Sequence, residues 1–340
     1  MGIKLSYHFS YPLFMDKGGG VTQANECLKS LKKLGYEVFP LNWYQDEMNF
    51  DVLFLFGFSH FNHEVIKYLK KNDKKVIIEP IFVRTNSYIY NLLSKLLKYF
   101  PISNVVKTRY LNLYLSDIIF TNSEIEKNEI KLFYGINPEK IVVAYLGLPS
   151  YVEEMEKEIS EDLFYQEYGV RDFVFYPSAR ISIRKNQLNL IKALKGTGIK
   201  LVLTGCNDID EKIENEFYEL TRGDKDILCL PVLDKKMLIS AYKNARVLGF
   251  ISLAETAGII GIEGGYLGNT LVLSNIPIFR EYFKNFAFYV NSKDPRDIRE
   301  KIFRAMDGKD KNNELREYIL ENLTWGKHAE IIDKNLRILI

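Results

Sequence analysis

The chain has 340 residues, 47% of them hydrophobic and 26% charged, which is typical of a soluble globular protein with room for two domains. Its 46 basic and 44 acidic residues leave a net charge of only +2, so bulk charge gives no indication of nucleic-acid binding. Apolar runs such as 52–58 have the length of a strand, well short of the roughly 18 residues of a membrane span. Residues 1–6 are expected to begin a strand and not a signal peptide. Three widely spaced cysteines without metal-ligand spacing are expected to be free thiols, and we predict a cytoplasmic protein: Cys27, Cys206 and Cys229.

Short apolar runs alternate with amphipathic stretches in the first half of the chain, a pattern typical of parallel sheets covered by helices on both faces. The runs predict strands at 3–9, 36–41, 52–58, 75–82, 117–122 and 141–145. The stretches between them predict helices near 22–34, 63–71, 88–99 and 124–133. Ser123 is expected to cap the last of these helices, with Glu126 as its capping-box partner.

An acidic stretch at 151–162 separates this series from a second one and is interpreted as part of a linker. The second series predicts strands at 173–177, 200–204, 227–230, 246–252, 270–274 and 287–290. The predicted fold class is therefore α/β, with two doubly wound Rossmann-like domains facing a central cleft. The predicted parts are an N-terminal domain at 1–150, a linker at 151–165, a C-terminal domain at 166–322 and a terminal segment at 323–340. Ligands of such sheets bind beyond the carboxyl ends of the strands.

Two glutamates, Glu255 and Glu263, are separated by seven residues at the point where a buried strand gives way to a helix. Gly258 is expected at the start of that helix, where unpaired amides and the helix dipole favour a phosphate. The segment 258–268 holds five glycines, each costing roughly 1 kcal/mol in a helix, so a ligand or a neighbouring element must approach its backbone. The alternative is two solvated glutamates flanking a packed, glycine-rich helix.

Two basic residues, Arg180 and Lys185, follow another buried strand about seventy residues upstream. Fixed cations at the end of a strand can stabilise a departing diphosphate without a metal ion. Arg184 is a third base in this turn, and its side chain is also compatible with facing solvent. The alternative interpretation is a basic turn that caps the helix at 186–195.

A glycine-rich turn at 18–20 follows the first strand, and it lets the backbone approach a phosphate or a sugar, although a flexible loop is the alternative. The Asp-x-Asp sequence at 208–210 lies in a polar loop, and we expect no metal there. From 80 to 116 the chain has no acidic residue but many basic and aromatic ones. The stretch 84–114 therefore favours contact with an anionic membrane surface or a phosphate-bearing acceptor, while a pair of packed helices is the alternative.

These motifs, in this order and spacing, resemble the retaining glycosyltransferases of the GT-B fold, family 4 (glycosyl transferases group 1). The resemblance covers nearly the whole chain and is strongest from Tyr176 to Glu281. It implies the transfer of a sugar from a UDP- or GDP-sugar to a hydroxyl of a glycan, a lipid-linked or another acceptor. No metal or other cofactor and no nucleic acid is implied, and retention of configuration is inherited from the resemblance alone.

The resemblance also implies roles for single residues. Arg180 and Lys185 would hold the diphosphate, Glu263 the ribose, and Glu255 the donor sugar or the charge that develops around it. The remaining donor-binding positions, which approach the phosphates, the base or the nucleotide turn, are Gly19, Gly20, Gly205, Val232, Ala257, Gly258 and Ile259. The tryptophan-bearing segment 323–340 would form a helix that crosses back to the first domain.

The chain departs from the family pattern after the fourth strand, where relatives carry a histidine and this sequence has Glu79 followed by Pro80. Glu79 and Arg84 are the acceptor-side candidates that remain. A non-catalytic nucleotide-sugar-binding subunit and a nucleotide-sugar epimerase on the same scaffold are therefore retained as alternatives. A nicotinamide dehydrogenase fits least, because no strand is followed by the dinucleotide-binding glycine pattern.

Overall fold

The computed structural model describes residues 2–9, 18–44, 47–57, 61–82, 104–308 and 313–340. The chain divides into two compact units. The first unit comprises Met1–Leu146 and Trp325–Ile340, and the second comprises Gly147–Thr324.

The first unit is built on a parallel sheet of six strands in the order β2-β1-β3-β4-β5-β6. Helices cover both faces of such a sheet, and the central strand accordingly reads as an unbroken apolar run, with all five of its residues fully buried. The strands confirm the six predicted ones: β1 Lys4–Phe9, β2 Glu37–Pro40, β3 Val52–Phe56, β4 Lys75–Glu79, β5 Ile118–Thr121 and β6 Ile141–Val143.

The described helices of this unit's first part are α1 Gly19–Lys33, α2 His63–Lys71, α3 Val105–Leu115 and α4 Glu124–Tyr134, with a 3-10 turn at Pro138–Lys140. Ser123 caps α4 as predicted, since its hydroxyl accepts from the Glu126 amide at 3.0 Å. The Glu126 carboxylate accepts from the Asn122 amide at 2.6 Å and from the Phe82 amide at 2.6 Å. The helix predicted near 88–99 lies outside the described residues.

The second unit contains a parallel sheet in the order β12-β11-β10-β7-β8-β9, which is the strand order of a Rossmann fold. All six predicted strands are confirmed: β7 Phe173–Tyr176, β8 Leu201–Leu203, β9 Ile227–Cys229, β10 Ala245–Phe250, β11 Thr270–Ser274 and β12 Ala287–Val290. The order reverses between β7 and β10, which are hydrogen-bonded neighbours. That reversal opens a crevice at the carboxyl ends of these two strands.

The segment 151–165, predicted as a linker, is mostly helical and belongs to the second unit. Its helices are α5 Ser150–Glu156 and α6 Asp162–Tyr168. Two apolar side chains, Val152 and Phe164, are buried, and they outweigh the acidic composition that suggested a linker. The Glu156 carboxylate receives two 2.8 Å hydrogen bonds from the Arg316 guanidinium, a bidentate pair that holds α5 in place.

The other helices described in the second unit follow in chain order. They are α7 Gln187–Leu194, α8 Glu214–Thr221, α9 Lys235–Asn244, α10 Ile259–Tyr266, α11 Pro277–Phe283, α12 Pro295–Asp307 and α13 Asn313–Asn322.

The last helix, α14 Trp325–Leu339, belongs to the first unit. The hydroxyl of Tyr36 donates to the Asp333 carboxylate at 2.8 Å, and Trp325 and Leu336 are buried. Across the described parts of the chain, every helix is too short or too polar to cross a bilayer.

Candidate functional site

Two loops of the second unit meet at the reversal point of its sheet. One loop runs from the end of β7 to Asn186, and the other runs from the end of β10 to Gly258. A backbone hydrogen bond of 2.8 Å from the Leu253 amide to the Arg184 carbonyl joins them. The side chains of both loops are therefore held in one place, at the edge of the sheet where Rossmann-type ligands bind.

Asn186 fixes the geometry of the first loop. Its backbone is left-handed, with φ at 61°, which an asparagine tolerates better than most residues. Its side-chain amide donates to the carbonyl of Ile251 at 3.1 Å and to that of Ser292 at 2.7 Å. The hydroxyl of Tyr176 adds a 2.7 Å bond to the Lys185 carbonyl. Because these contacts lock the loop, the two basic side chains before Asn186 point in a defined direction.

Glu255 lies at the centre of a compact charge cluster. One of its oxygens accepts from the Lys185 ammonium at 2.7 Å and from the Arg184 guanidinium at 3.0 Å. Only 11% of the Glu255 side chain and 14% of the Lys185 side chain are exposed, against 46% for Arg184. Arg184 also donates to the Ala254 carbonyl at 2.9 Å. The site thus places two cations and one anion within direct contact, near the surface of the second unit.

The electrostatics of the cluster follow from its contacts. Burial alone would raise the pKa of Glu255, but Lys185 and Arg184 outweigh burial and hold the pKa below its ordinary value. Burial lowers the pKa of Lys185, an effect that Glu255 opposes and Arg184 reinforces. The Lys185 ammonium also lies 5.1 Å from the centre of the Phe250 ring, where a cation–π contact supports the charged form. Glu255 is therefore a carboxylate with two cations beside it.

The structure does not bring Arg180 into this cluster. Its guanidinium lies 3.5 Å from the Asp208 carboxylate, and 51% of its side chain is exposed. The structure thus pairs Lys185 with Arg184 at Glu255; the sequence named Arg184 only as a third base of the turn, compatible with facing solvent. The signal that could have identified Arg184 is its position directly before Lys185 in a short turn, where both side chains can reach one partner. Arg180 remains free to bind a ligand phosphate if the weak pair with Asp208 opens.

Gly205 has a structural role that was not expected from the sequence. Its φ of +79° is left-handed, and an added Cβ would lie 2.6 Å from backbone atoms of Ser178, Ala179 and Arg180. Only glycine fits here, because both the conformation and the close approach exclude a side chain. Gly205 therefore allows the backbone of residues 178–180 in the first loop to pack directly against it. Its predicted contact with a nucleotide stays a prediction.

The glycines of α10 are explained mainly by packing inside the protein. Gly258 has a φ of +121°, and its missing Cβ would meet Phe279 at 2.9 Å. Side chains at Gly261, Gly264 and Gly265 would meet Phe283, Leu248 and Leu315 at 2.5–2.8 Å. From the sequence, either a ligand or a neighbouring element could explain why glycine is used here in spite of its low helix propensity. In the structure, neighbouring side chains explain it. The first turn of α10, preceded by the buried Ala257 and begun by the partly exposed Ile259, still carries amides suited to an anion.

Glu263 is buried, with 6% of its surface exposed, and its carboxylate contacts two tyrosine hydroxyls. One carboxylate oxygen accepts from the Tyr151 hydroxyl at 2.5 Å, and the other accepts from the Tyr242 hydroxyl at 2.7 Å. Burial raises the pKa of Glu263 although both hydrogen bonds lower it. Tyr151, which lies in the segment interpreted as a linker, was missed by sequence reasoning. A carboxylate has about four acceptor positions, so a ribose could still bind Glu263 beside the two tyrosines.

The remaining donor-side candidates are not connected to the charge cluster by any described contact. Val232 lies in the loop after β9 with 40% of its surface exposed. In the first unit, Gly19 and Gly20 form the first turn of α1, and an added Cβ at Gly20 would make only ordinary contacts, the nearest at 3.7 Å. The described neighbours of Gly20 therefore leave room for a Cβ, and the predicted contact of Gly19 and Gly20 with a donor stays a prediction.

The structure does not support an acceptor role for Glu79. No part of its side chain is exposed, because α1 and α14 pack over this end of β4. Burial raises the pKa of Glu79 to about 8, and it lowers the pKa of the neighbouring His328 to about 4. Arg84 lies outside the described residues. Of the stretch 84–114, only 104–114 is described, so the predicted membrane contact stays a prediction.

Comparison with known structures concerns the fold first. The crystal structure of Anabaena HepE in complex with UDP and glucose matches 99% of this chain and 100% of its own, with a TM-score of 0.68 and 13% sequence identity. The fold is that of the GT-B glycosyltransferases. The strand order of the two sheets and the match to this solved structure together confirm the predicted fold class, which is two doubly wound α/β domains.

Sequence comparison adds the chemical class of the relatives. Residues 163–322 match the family model of the Glycosyl transferases group 1, a range that contains the whole charge cluster. An uncharacterized glycosyltransferase of Methanocaldococcus jannaschii is 26% identical over 63% of this chain and 56% of its own length. The O-antigen chain mannosyltransferase RfbU of Salmonella typhimurium is 26% identical over 54% of this chain and 49% of its own length. The chain thus aligns with about half the length of these curated relatives.

Proposed function

We propose that the protein is a retaining glycosyltransferase that moves a sugar from a UDP- or GDP-sugar to a hydroxyl of a glycan, a lipid-linked or another acceptor. The observation that carries this proposal is the cluster of Glu255, Lys185 and Arg184 at the reversal point of a Rossmann-type sheet. It lies inside the range that matches the group 1 glycosyltransferases. The HepE structure, which holds UDP and glucose, is consistent with a nucleotide-sugar donor.

The cluster supplies the charges that the reaction needs. A nucleoside diphosphate gains negative charge as it leaves the sugar, and the ammonium of Lys185 and the guanidinium of Arg184 can bind that charge. Arg180, half exposed next to them in the chain, can add a third cation. With these fixed cations the transfer would need no metal ion.

Glu255 competes with the diphosphate for the same cations. In the ligand-free protein its carboxylate occupies both Lys185 and Arg184. Donor binding would draw the two cations toward the phosphates and leave Glu255 to face the sugar, where a carboxylate stabilises positive charge at the reacting carbon. The proton of the acceptor hydroxyl would pass to the leaving phosphate, because Glu255 would face the sugar and the other two members of the cluster are cations.

Glu263 would complete the donor site at the nucleoside end. The first turn of α10 would contact the phosphates through its amides, and Glu263, held by Tyr151 and Tyr242, would accept from ribose hydroxyls. In the first unit, Gly19 and Gly20 at the start of α1 would offer backbone amides to a phosphate or a sugar. The loop at Val232 would read the base through its backbone.

The test compares nucleotides that share a base and differ in phosphate. Affinities of UDP, GDP and ADP, and of uridine and guanosine, would be measured by calorimetry for the wild type, Lys185→Gln and Glu263→Ala. We expect one diphosphate to bind, Lys185→Gln to weaken it about tenfold through loss of a charged hydrogen bond, and the matching nucleoside to be little affected. Glu263→Ala should weaken both. No binding of any diphosphate at millimolar concentration would contradict the proposal.

Transfer itself is tested with the nucleotide sugars of the base that binds. Slow hydrolysis of one donor would identify the sugar, and the anomeric configuration of the released or transferred sugar, read by NMR, would test retention. Donor binding without any hydrolysis or transfer across a panel of glycan and lipid acceptors would favour a non-catalytic binding subunit instead. Conversion of the donor into its epimer would favour the epimerase alternative.

A further inference from the structure

Three side chains that are far apart in the sequence meet in the interior of the first unit. They are Cys27 of α1, Glu79 at the end of β4 and His328 of α14. The sulfur, a carboxylate oxygen and a ring nitrogen lie within 4.8 Å of one another, and all three residues are buried. We call them the Cys–Glu–His triad. Because no local spacing links 27, 79 and 328, a motif search of the sequence does not find them.

Three polar atoms of the triad have no hydrogen-bond partner among the described residues: both carboxylate oxygens of Glu79 and the Nε2 atom of His328. The closest Glu79 oxygen lies 3.6 Å from Nε2. Gln23 lies near enough to Glu79 to lower its pKa, but burial outweighs that effect. Buried polar atoms are nearly always paired with protein or with an ordered water, so three orphans in one place require an explanation. A bound ion, or a proton shared between Glu79 and His328, would explain these unpaired atoms.

The orientation of His328 favours a metal ligand. Its Nδ1 atom lies 3.2 Å from the carbonyl oxygens of both Ala144 and Tyr145, so Nδ1 carries the proton and donates to them. The lone pair of Nε2 therefore points into the triad. A backbone carbonyl that holds the second ring nitrogen is the usual arrangement for a histidine that binds a metal.

We propose that the Cys–Glu–His triad binds one Zn²⁺ ion that ties α14 to α1 and β4 within the first unit. Zinc takes thiolate, imidazole and carboxylate ligands, and its tetrahedral ligand atoms lie about 3.5 Å apart. Nε2 of His328 and an oxygen of Glu79 are 3.6 Å apart, and all three ligand atoms lie within 4.8 Å of one another, so side-chain adjustment would bring them to that separation. A thiolate, a carboxylate and a neutral imidazole leave a Zn²⁺ site without net charge, which a buried position requires. The fourth position of the tetrahedron is left to an oxygen ligand such as water.

Binding would displace the Cys27 thiol proton and any proton on Glu79, so affinity would rise with pH. The site is separate from the charge cluster of the second unit, and its role would be structural. Its test therefore reads metal content and stability, and it stays informative even if the proposed transfer activity is not found.

The test uses the full chain purified without a histidine tag. Plasma mass spectrometry should find about one zinc per chain in the wild type, and Cys27→Ser and His328→Gln should each lose most of it. Cys229→Ser, a half-buried thiol outside the triad, is the matched control and should keep its zinc. Replacement by Co²⁺ should give a thiolate-to-metal charge-transfer band that Cys27→Ser abolishes. Removing the metal with a chelator should lower the Tm, and adding zinc should restore it.

Two results would overturn the proposal. The first is a wild-type chain that holds no zinc after exposure to the ion and shows no cobalt charge-transfer band, which would leave a protonated Glu79 sharing its proton with His328 Nε2. The second is zinc that is retained equally by Cys27→Ser and His328→Gln, which would place the ion elsewhere. The first result, the zinc content and the cobalt band of the wild-type protein, stays decisive even if a variant fails to fold.

Discussion

The two glutamates of the candidate site are separated by seven residues and occupy opposite electrostatic environments. Glu255, in the loop after β10, touches two cations, and its pKa is lowered. Glu263, inside α10, touches two tyrosine hydroxyls, and its pKa is raised by burial. One is an ion pair near the surface, and the other is a carboxyl group held by neutral donors in the interior.

This difference teaches that a motif fixes where side chains lie but not what charge they carry. The charge of Glu255 depends on the loop after β7, about seventy residues upstream, and that of Glu263 depends on Tyr151 and Tyr242. Chemistry that needs a charged carboxylate is therefore assigned to Glu255, and chemistry that needs a positioned acceptor is assigned to Glu263.

The largest expected effect comes from Glu255→Gln, which keeps the shape and removes the charge. We expect transfer or donor hydrolysis to fall about 100-fold, because the carboxylate no longer stabilises the sugar in the transition state. The affinity for the nucleoside diphosphate should rise by up to about tenfold, since Lys185 and Arg184 are released from their ion pairs. Steady-state kinetics and calorimetry measure the two effects separately.

The matched control for this variant is Glu219→Gln, at an exposed position of α8. It should change neither quantity. A Glu255→Gln protein that binds the diphosphate more weakly than the wild type would contradict the competition between carboxylate and phosphate, and full activity would remove Glu255 from the reaction.

A smaller effect is expected from Tyr151→Phe, which removes one of the two hydroxyls on Glu263. A buried acceptor that loses a partner costs about 1–2 kcal/mol, which should lower the Tm by about 2–6 °C. A saturating concentration of nucleotide should reduce this difference in Tm if a ribose hydroxyl donates to Glu263 in place of the Tyr151 hydroxyl. Tyr218→Phe, an exposed tyrosine of α8, serves as the control. Equal Tm values for Tyr151→Phe and the wild type would show that the 2.5 Å contact does not stabilise the protein.

The sequence predicts much of the fold because hydrophobic pattern is a local property. All twelve strands lie where apolar runs were found, and their alternation with helices indicates parallel sheets. The segment 151–165 was interpreted as a linker because acidic residues outnumber apolar ones in 151–162, while only two buried side chains, Val152 and Phe164, decide its packing. Composition averages over a segment, whereas burial is decided residue by residue.

The candidate site is predicted only in part, because its contacts join distant parts of the chain. The sequence identified Glu255 and Lys185 but not their direct contact, and it paired Lys185 with Arg180 although the structure brings Arg184 to Glu255. From sequence alone, the glycines of α10 are explained equally well by a ligand or by a neighbouring element. The structure identifies Phe279 and Phe283 as the neighbours. Burial of Glu79 beneath α14 depends on a helix about 250 residues away and has no local signature.

The smallest expected effect is a difference in pH dependence between two isosteric variants, Glu255→Gln and Glu263→Gln. Because the pKa of Glu255 is lowered on folding, its charge stabilises the protein above the unfolded pKa near 4.5, and this contribution is lost as the pH falls through the folded pKa. The pKa of Glu263 is raised, so its contribution is present below about 4.5 and is lost as the pH rises through the folded value. The stability of the wild type relative to Glu255→Gln should therefore increase with pH, and that relative to Glu263→Gln should decrease. Chemical unfolding between about pH 3 and 7 covers both windows, below about 4.5 for Glu255 and above it for Glu263. Slopes of the same sign would show that the two glutamates do not have opposite charge preferences.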